Sequence, residues 1–188
     1  MEYGVILMRA QPVHKGHIDI IRQALKENEK VLIVIGSANK SGTTRNPLPI
    51  EVRATLIEDA LRDYDLSEKA TFMSLPDWST EDAYQYAKEW GSFFYYNVVR
   101  MLGQKTFTMY YNDDPDIVKN WFAKEISKRI VVRHAARKRD VSGTKIRQAF
   151  ETGDDLYLHE ILCPSTYKMK DEIKQMLMNC DEEDFMMQ

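Results

Sequence analysis

Five short apolar runs punctuate this 188-residue chain, and the segments between them are longer and helically spaced. The runs are Tyr3–Met8, Val31–Gly36, Ala70–Leu75, Thr106–Tyr111 and Arg129–His134. Each is rich in β-branched or aromatic residues and continuous in its apolar character, the mark of a strand buried on both faces. Strands of that kind, alternating with helices, predict a Rossmann-like, doubly wound, parallel five-stranded sheet with helices on both faces. Ligands of such α/β folds sit at the carboxyl ends of the strands. The stretches to read are therefore those after Met8, Gly36, Leu75, Tyr111 and His134.

The helical spacing is specific. Ile18, Ile21 and Leu25 share a face after Lys15, and Leu56, Ala60 and Leu61 share another. Thr80 to Leu102 reads as a long aromatic helix that Gly91 breaks in two. Pro115 starts a helix over Asp116–Ser127, Gly143–Glu151 is a further helix, and Ser165 to about Met178 is one more. The acidic stretch from Cys180 onward reads as frayed. Residues 1–162 form the domain, and residues 163–188 pack on it or extend from it as a helix and tail.

Composition narrows the partners. A net charge of −3 argues against a chain that coats nucleic acid, and the basic stretch RHAARKR is local and lacks interleaved aromatics. No apolar run reaches a membrane span, and the acid at Glu2 stands where a secretion signal carries bases. Two cysteines without a CxxC pair suggest no disulfide framework. The expectation is a cytoplasmic protein without nucleic-acid or membrane partners.

Cations crowd two helix starts. Arg9, His14, Lys15 and His17 surround the first, where the helix dipole already supplies about half a positive charge. His14 and His17 are either a polar surface pair, metal ligands lacking nearby companions, or part of an anion site. At the second, Ser142 is a natural N-cap, yet Lys145 stands where a capping box places Glu or Gln, and Arg147 follows. Gly143 leaves backbone N–H groups open, and Ser142 and Thr144 add hydroxyls. Lys40 and Arg45 lie on a loop rich in hydroxyls, which is either an ordinary polar loop or part of the same cleft, with Arg53 facing it from the next helix. Asp77 with Trp78 or Tyr84 is either a cap beside core aromatics or a holder for a flat ring. One cation about 4 Å from a phosphate oxygen gains roughly 4 kcal/mol at an effective dielectric of 20, more than a cation at a helix start costs. The missing anion is a polyphosphate.

These residues resemble a known family. HKGH is similar to the HxGH signature of the nucleotidyltransferase superfamily, and VSGTKIR resembles its second signature, ISxTxIR. RAQPVHKGH, IGSANKSGTTRNP and the Val141-Ser-Gly-Thr stretch resemble more narrowly the archaeal-type nicotinamide mononucleotide (NMN) adenylyltransferases and the adenylyltransferase half of Nudix fusions, over roughly residues 3–170. The resemblance implies transfer of AMP from ATP to NMN, giving NAD and pyrophosphate by direct attack of the NMN phosphate. It implies an ATP site of Arg9, His14, Gly16, His17, Ser142, Gly143, Thr144 and Arg147, with His14, His17, Arg45 and Arg147 acting in catalysis. It implies an acceptor site of Lys40, Arg45, Asn46, Asp77 and Tyr84. It also implies Mg2+ carried by the triphosphate without protein ligands, and a homo-oligomer.

The chain departs from the family pattern at several places. Tyr84 stands where the family places a stacking Trp, with Trp78 and Trp90 as substitutes. Met8 and Ala10 replace a Gly and a Phe, Asn112-Asp113-Asp114-Pro115 replaces Ser-Gly-Asn-Pro, and Ala83–Lys105 is longer and more aromatic. The alternatives are an adenylyl- or cytidylyltransferase with another phosphorylated acceptor, such as phosphopantetheine or glycerol phosphate, and a nucleotide-binding regulator without turnover.

Overall fold

The computed structural model describes residues 2–77, 87–112 and 115–180 of the chain. Five strands form one sheet: β1 (Tyr3–Met8), β2 (Lys30–Ile35), β3 (Ala70–Ser74), β4 (Phe107–Tyr111) and β5 (Ile130–His134). Their order is β3-β2-β1-β4-β5 and every pairing is parallel. β1 is the central strand, running from Tyr3 opposite Lys30 to Met8 opposite Ile35, with β4 on its other side. Chain order reverses between β1 and β4, so the crevice of a doubly wound sheet opens beyond Met8 and Tyr111.

Alternation along the strands builds two cores. Ile6, Met8, Val31, Ile33 and Ile35 face a core closed by α1 (Lys15–Ala24), α2 (Ile50–Asp63) and α6 (Gly143–Thr152). Val5, Leu32 and Val34 face the opposite core, closed by α3 (Ala87–Leu102), α4 (Pro115–Lys119) and α5 (Lys124–Ser127). Both layers follow from the period of two along each strand. The five expected strands and the two helical layers are present, each strand within a residue or so of its expected bounds.

Three helical expectations are corrected. Gly91 does not break α3, which runs through it. A Cβ there would lie 1.8 Å from the Trp121 carbonyl oxygen, so the glycine permits close approach of another backbone rather than a kink. The helix expected over Asp116–Ser127 is two short ones. Trp121 and Phe122 tighten into i→i+3 bonds to Val118 and Lys119, and Ala123 is extended before α5 begins. The helix expected from Ser165 is also two, α8 (Pro164–Lys168) and α9 (Lys170–Met178), parted at Met169. α7 (Asp155–Ile161), capped by Asp154, was not expected at all. Cys163, Thr166 and Ile173 are buried, the first and last within the same core as α1 and α2. The helix start at Thr80, Trp78, Tyr84, Asp113, Asp114 and the acidic tail beyond Cys180 lie outside the described residues.

Candidate functional site

Both helix starts that carry the sequence motifs lie at the carboxyl rim of the sheet, and they touch. A Cβ on Gly16, in the first turn of α1, would lie 2.7 Å from Val141 Cγ1, just before α6. A Cβ on Gly143, the first residue of α6, would lie 3.0 Å from Arg147 Nη1 and 3.7 Å from the Gln11 carbonyl oxygen. Gly16 therefore lets the β1–α1 turn and the β5–α6 turn close on each other, while a Cβ at Gly143 would stand in ordinary contact with Gln11 and crowd only Arg147. His14, with His17 stacked on it, stands on the α1 side of that seam beside Gly16, and Ser142, Thr144 and Arg147 stand on its α6 side.

The first turn is tightly built. Ala10 takes φ +53°, and Gln11–Pro12 is a cis peptide. The buried Gln11 side chain donates from Nε2 to the Leu48 carbonyl at 3.1 Å and accepts from the Leu48 N–H at 2.8 Å. That pairing fastens the β2–α2 loop to the β1–α1 turn. His14 is the N-cap of α1 and His17 its third residue. The His14 backbone N–H donates to His17 Nδ1 at 3.2 Å, so His17 fills the place of the Glu or Gln of a capping box. With Nδ1 accepting, the proton of neutral His17 sits on Nε2. The two rings stack at 3.8 Å with 25° between planes. His14 Nδ1 is buried with no hydrogen-bond partner among the described residues.

Charge at this rim differs from the reading of the bare sequence. Burial pushes His17 down to about 4. Burial, then the neighbouring His17 and Arg137, hold His14 well below the usual imidazole range. Both rings are neutral at pH 7. Lys15 points away from the cleft, its ammonium donating to the carbonyls of Glu160 at 2.6 Å and His159 at 3.4 Å, at the carboxyl end of α7. A cation at that end of a helix is favourable. Lys145 pairs with Asp140. So two of the four residues that crowd the first start are uncharged, a third serves α7, and the lysine of the second start is answered by an acid. Arg9 and Arg147 carry the positive charge of the motifs. Arg147 has its pKa lowered by burial, and Arg45 lowers it further, while Glu151 and Cys180 act in the opposite sense. The Arg45 charge, carried on the exposed loop, thus acts on the α6 start. Ser142 Oγ accepts from the Lys145 N–H at 3.2 Å, and Arg147 Nη2 donates to Thr144 Oγ1 at 3.4 Å.

The acceptor candidates line the neighbouring strand ends. Asp77 follows β3, and its carboxylate accepts from Ser37 Oγ, just after β2. Asn39 joins it by a reciprocal pair: Nδ2 to the Asp77 carbonyl at 3.0 Å, and the Asp77 N–H to Oδ1 at 2.9 Å. Lys40 is half-buried, its N–H donating to Ser37 O at 3.1 Å. Asn46 is 3% exposed, with its Oδ1 unpartnered among the described residues. Arg53 does not face the cleft as expected; it is wholly buried behind it and donates to backbone carbonyls. Trp90 lies edge-on to Trp121 at 5.7 Å, and Tyr111, at the end of β4, lies edge-on to the other side of this cluster at 5.7 Å from Trp121. Trp90 Nε1 is buried without a partner among the described residues.

Sequence reading missed Ser37, Asn39 and Arg137. Ser37 and Asn39 belong to the quoted SANK stretch, and only the fold shows that Asp77 is their partner. Arg137 is hidden in a run of bases, two of which pair with distant acids, Arg133 with Glu27 and Arg139 with Asp19. Among the described residues no group of three His, Cys, Asp or Glu could hold a metal ion. No helix among them is long and apolar enough to cross a membrane. A surface depression of about 390 Å³, lined by Tyr3, Lys30 and Glu68 among others, lies at the amino ends of the strands, the end opposite the candidate site.

The family described as cytidylyltransferase-like matches residues 9–149. The chain is similar to the nicotinamide-nucleotide adenylyltransferase of Pyrococcus furiosus, 37% identical over 76 residues, or 40% of each chain. It is similar to that of Methanococcus maripaludis strain C5, 39% identical over 62 residues, or 33% of this chain and 36% of that one. The matched stretches thus span well under half of these relatives. The structure resembles a bifunctional NMN adenylyltransferase/ADP ribose pyrophosphatase from Francisella tularensis, complexed with AMP and a manganese ion. The TM-score is 0.73 at 21% identity, covering 94% of this chain and 51% of that one. That likeness shows a shared fold.

Proposed function

Since the chain belongs to the cytidylyltransferase-like family, we propose that it transfers AMP from ATP to NMN, releasing pyrophosphate and forming NAD. A phosphate oxygen of NMN attacks the α-phosphorus in line. One O–P bond forms, the bond from the α-phosphorus to the bridging oxygen breaks, and pyrophosphate departs with its electron pair. No protein atom is a nucleophile in this reading, so the chain's contribution is positioning and stabilisation of developing charge.

The observation that carries the proposal is the contact of the α1 and α6 starts, with Gly16 packed on Val141 and Gly143 beside the Gln11 carbonyl. Two helix N-termini, each rich in open N–H groups, suit one polyphosphate. In this account Arg9, Gly16, Ser142, Gly143 and Thr144 bind the ATP phosphates. His14, His17 and Arg147 face the α-phosphate and the leaving pyrophosphate. The Nε2–H of His17 is the donor that strengthens as charge develops. Arg45 steers the reacting phosphates, and with Lys40, Asn46 and Asp77 it binds the acceptor, with Tyr84 as the ring-stacking residue and Trp78 or Trp90 as its substitute. The chain offers no clustered metal ligands among its described residues, and Mg2+ is assigned to the triphosphate, where it would neutralise phosphate charge. A homo-oligomer working in the cytoplasm belongs to the same proposal.

The test is incubation of the protein with ATP, Mg2+ and NMN, following NAD and pyrophosphate. Equal release of both supports the reading. Transfer only to phosphopantetheine, or from CTP to glycerol phosphate, replaces the acceptor. ATP binding without pyrophosphate release for any acceptor makes the chain a regulator.

A further inference from the structure

We infer that Arg53 is a positioning residue that sets the acceptor half of the site through Ser37 and Asp77, an inference that rests on the adenylyl-transfer reading above. Arg53 is 0% exposed. Its Nη1 donates to the carbonyls of Arg9 at 3.0 Å and Gly36 at 2.8 Å, and its Nη2 to that of Ser37 at 2.9 Å. One planar guanidinium thus ties together the exits of β1 and β2, the two strands whose loops meet the phosphates and the acceptor. Both exits are strained: Ala10 follows Arg9 at φ +53°, and Ser37 itself is at φ +53°. Non-glycine residues hold that conformation only where surrounding contacts over-determine it. Arg53 supplies those contacts. Ser37, so held, donates from Oγ to the Asp77 carboxylate. Asn39 braces the same residue from the backbone side. The charge of Asp77 acts favourably on Arg53, against its desolvation and the repulsion of Arg9.

A role in stability alone does not account for this arrangement. Well-packed apolar side chains serve a core as well as a buried ion does, and often better. Arg53 Nε is buried without a partner among the described residues, so the guanidinium is not fully satisfied even here. What only the arginine fork provides is simultaneous reach to two strand ends in one plane; a lysine ammonium keeps the charge and lacks that geometry.

The test compares Arg53→Lys and Ser37→Ala in the full chain. Steady-state kinetics with each substrate varied are paired with amide hydrogen exchange. Arg53→Lys is expected to raise the KM for NMN about tenfold or more while the KM for ATP and kcat stay within about threefold. Ser37→Ala shifts the same constant in the same direction, and the double variant is no worse than Arg53→Lys alone, because both act along one path. Exchange quickens at the amides of Ala38, Asn39 and Asp77 and nowhere else in the sheet. Unchanged KM for NMN in both variants, or equal shifts in both substrates together with a lowered Tm, overturns the inference. If Arg53→Lys does not fold, Ser37→Ala decides by the same criteria. Should the native protein fail to use NMN, the functional reading falls, and exchange alone decides the positioning role: local loss of protection supports it, loss across the whole sheet refutes it.

Discussion

His17 does two jobs with its two nitrogens. Nδ1 closes the first turn of α1, and in the proposed reaction Nε2 is the donor to the phosphates. His17→Ala is expected to lower kcat on the order of 10²-fold, in the range found for removing one transition-state donor, while the Kd for ATP stays within about threefold. Single-turnover rates beside calorimetric ATP titration would show this, and equal losses in both would make His17 a ground-state anchor. The same ring governs acid stability. In the unfolded chain a histidine titrates near 6.5, whereas native His17 takes its proton only at about 4. Between these values the unfolded state binds more protons, so the native fold is fully stable above 6.5 and loses stability as pH falls toward 4. Allowing for the partial exposure of the ring, the loss from His17 is roughly 2 kcal/mol across that window. His14 adds to it in the same direction. His17→Gln keeps an acceptor at the capping position and removes the titration. Its denaturation midpoint should therefore fall less between pH 7 and pH 4.5 than that of the native protein.

Among the elements, two helical glycines serve opposite ends. At Gly91 a methyl group would meet the backbone carbonyl of Trp121 at 1.8 Å, and backbone cannot step aside. Gly91→Ala should separate α3 from the α4–α5 segment and cost about 2–3 kcal/mol, with a matching fall in Tm, despite the better helix propensity of alanine. At Gly143 the nearest atom is Arg147 Nη1 at 3.0 Å, the far end of a flexible side chain. Gly143→Ala should leave Tm within about 2 °C of native yet lower kcat/KM by about tenfold or more, because the arginine is pushed from its place beside Thr144. Thermal scans and kinetics on the two variants distinguish a packing glycine from a site glycine. Lys15 belongs to this scale as well: Lys15→Met is expected to loosen α7, seen as faster amide exchange over Asp155–Ile161, with little effect on ATP affinity.

For the molecule as a whole, what could be read from the sequence was what depends on local pattern. Fully buried parallel strands such as Val31–Ile35 announce themselves by continuous apolar character, and the alternation with helices dictates the sheet and its ligand-bearing rim. HKGH and VSGTKIR located both helix starts. What escaped depends on partners distant in sequence. Gly91 reads as a break until Trp121 is packed on it. Lys15 and Lys145 read as ligand-seeking cations until Glu160 and Asp140 are placed beside them. Arg53 reads as another cleft residue until its three carbonyl partners, brought from two strand ends, enclose it. Adenylyl transfer by this chain requires that the α1 and α6 starts share a single polyphosphate. A crystal structure of the protein with a non-hydrolysable ATP analogue tests it most directly. One triphosphate is expected within hydrogen-bond reach of both His17 Nε2 and the Arg147 guanidinium, with the Gly143 and Thr144 amides directed at it; a triphosphate seated on one helix start alone, or away from the carboxyl rim of the sheet, would contradict a shared site.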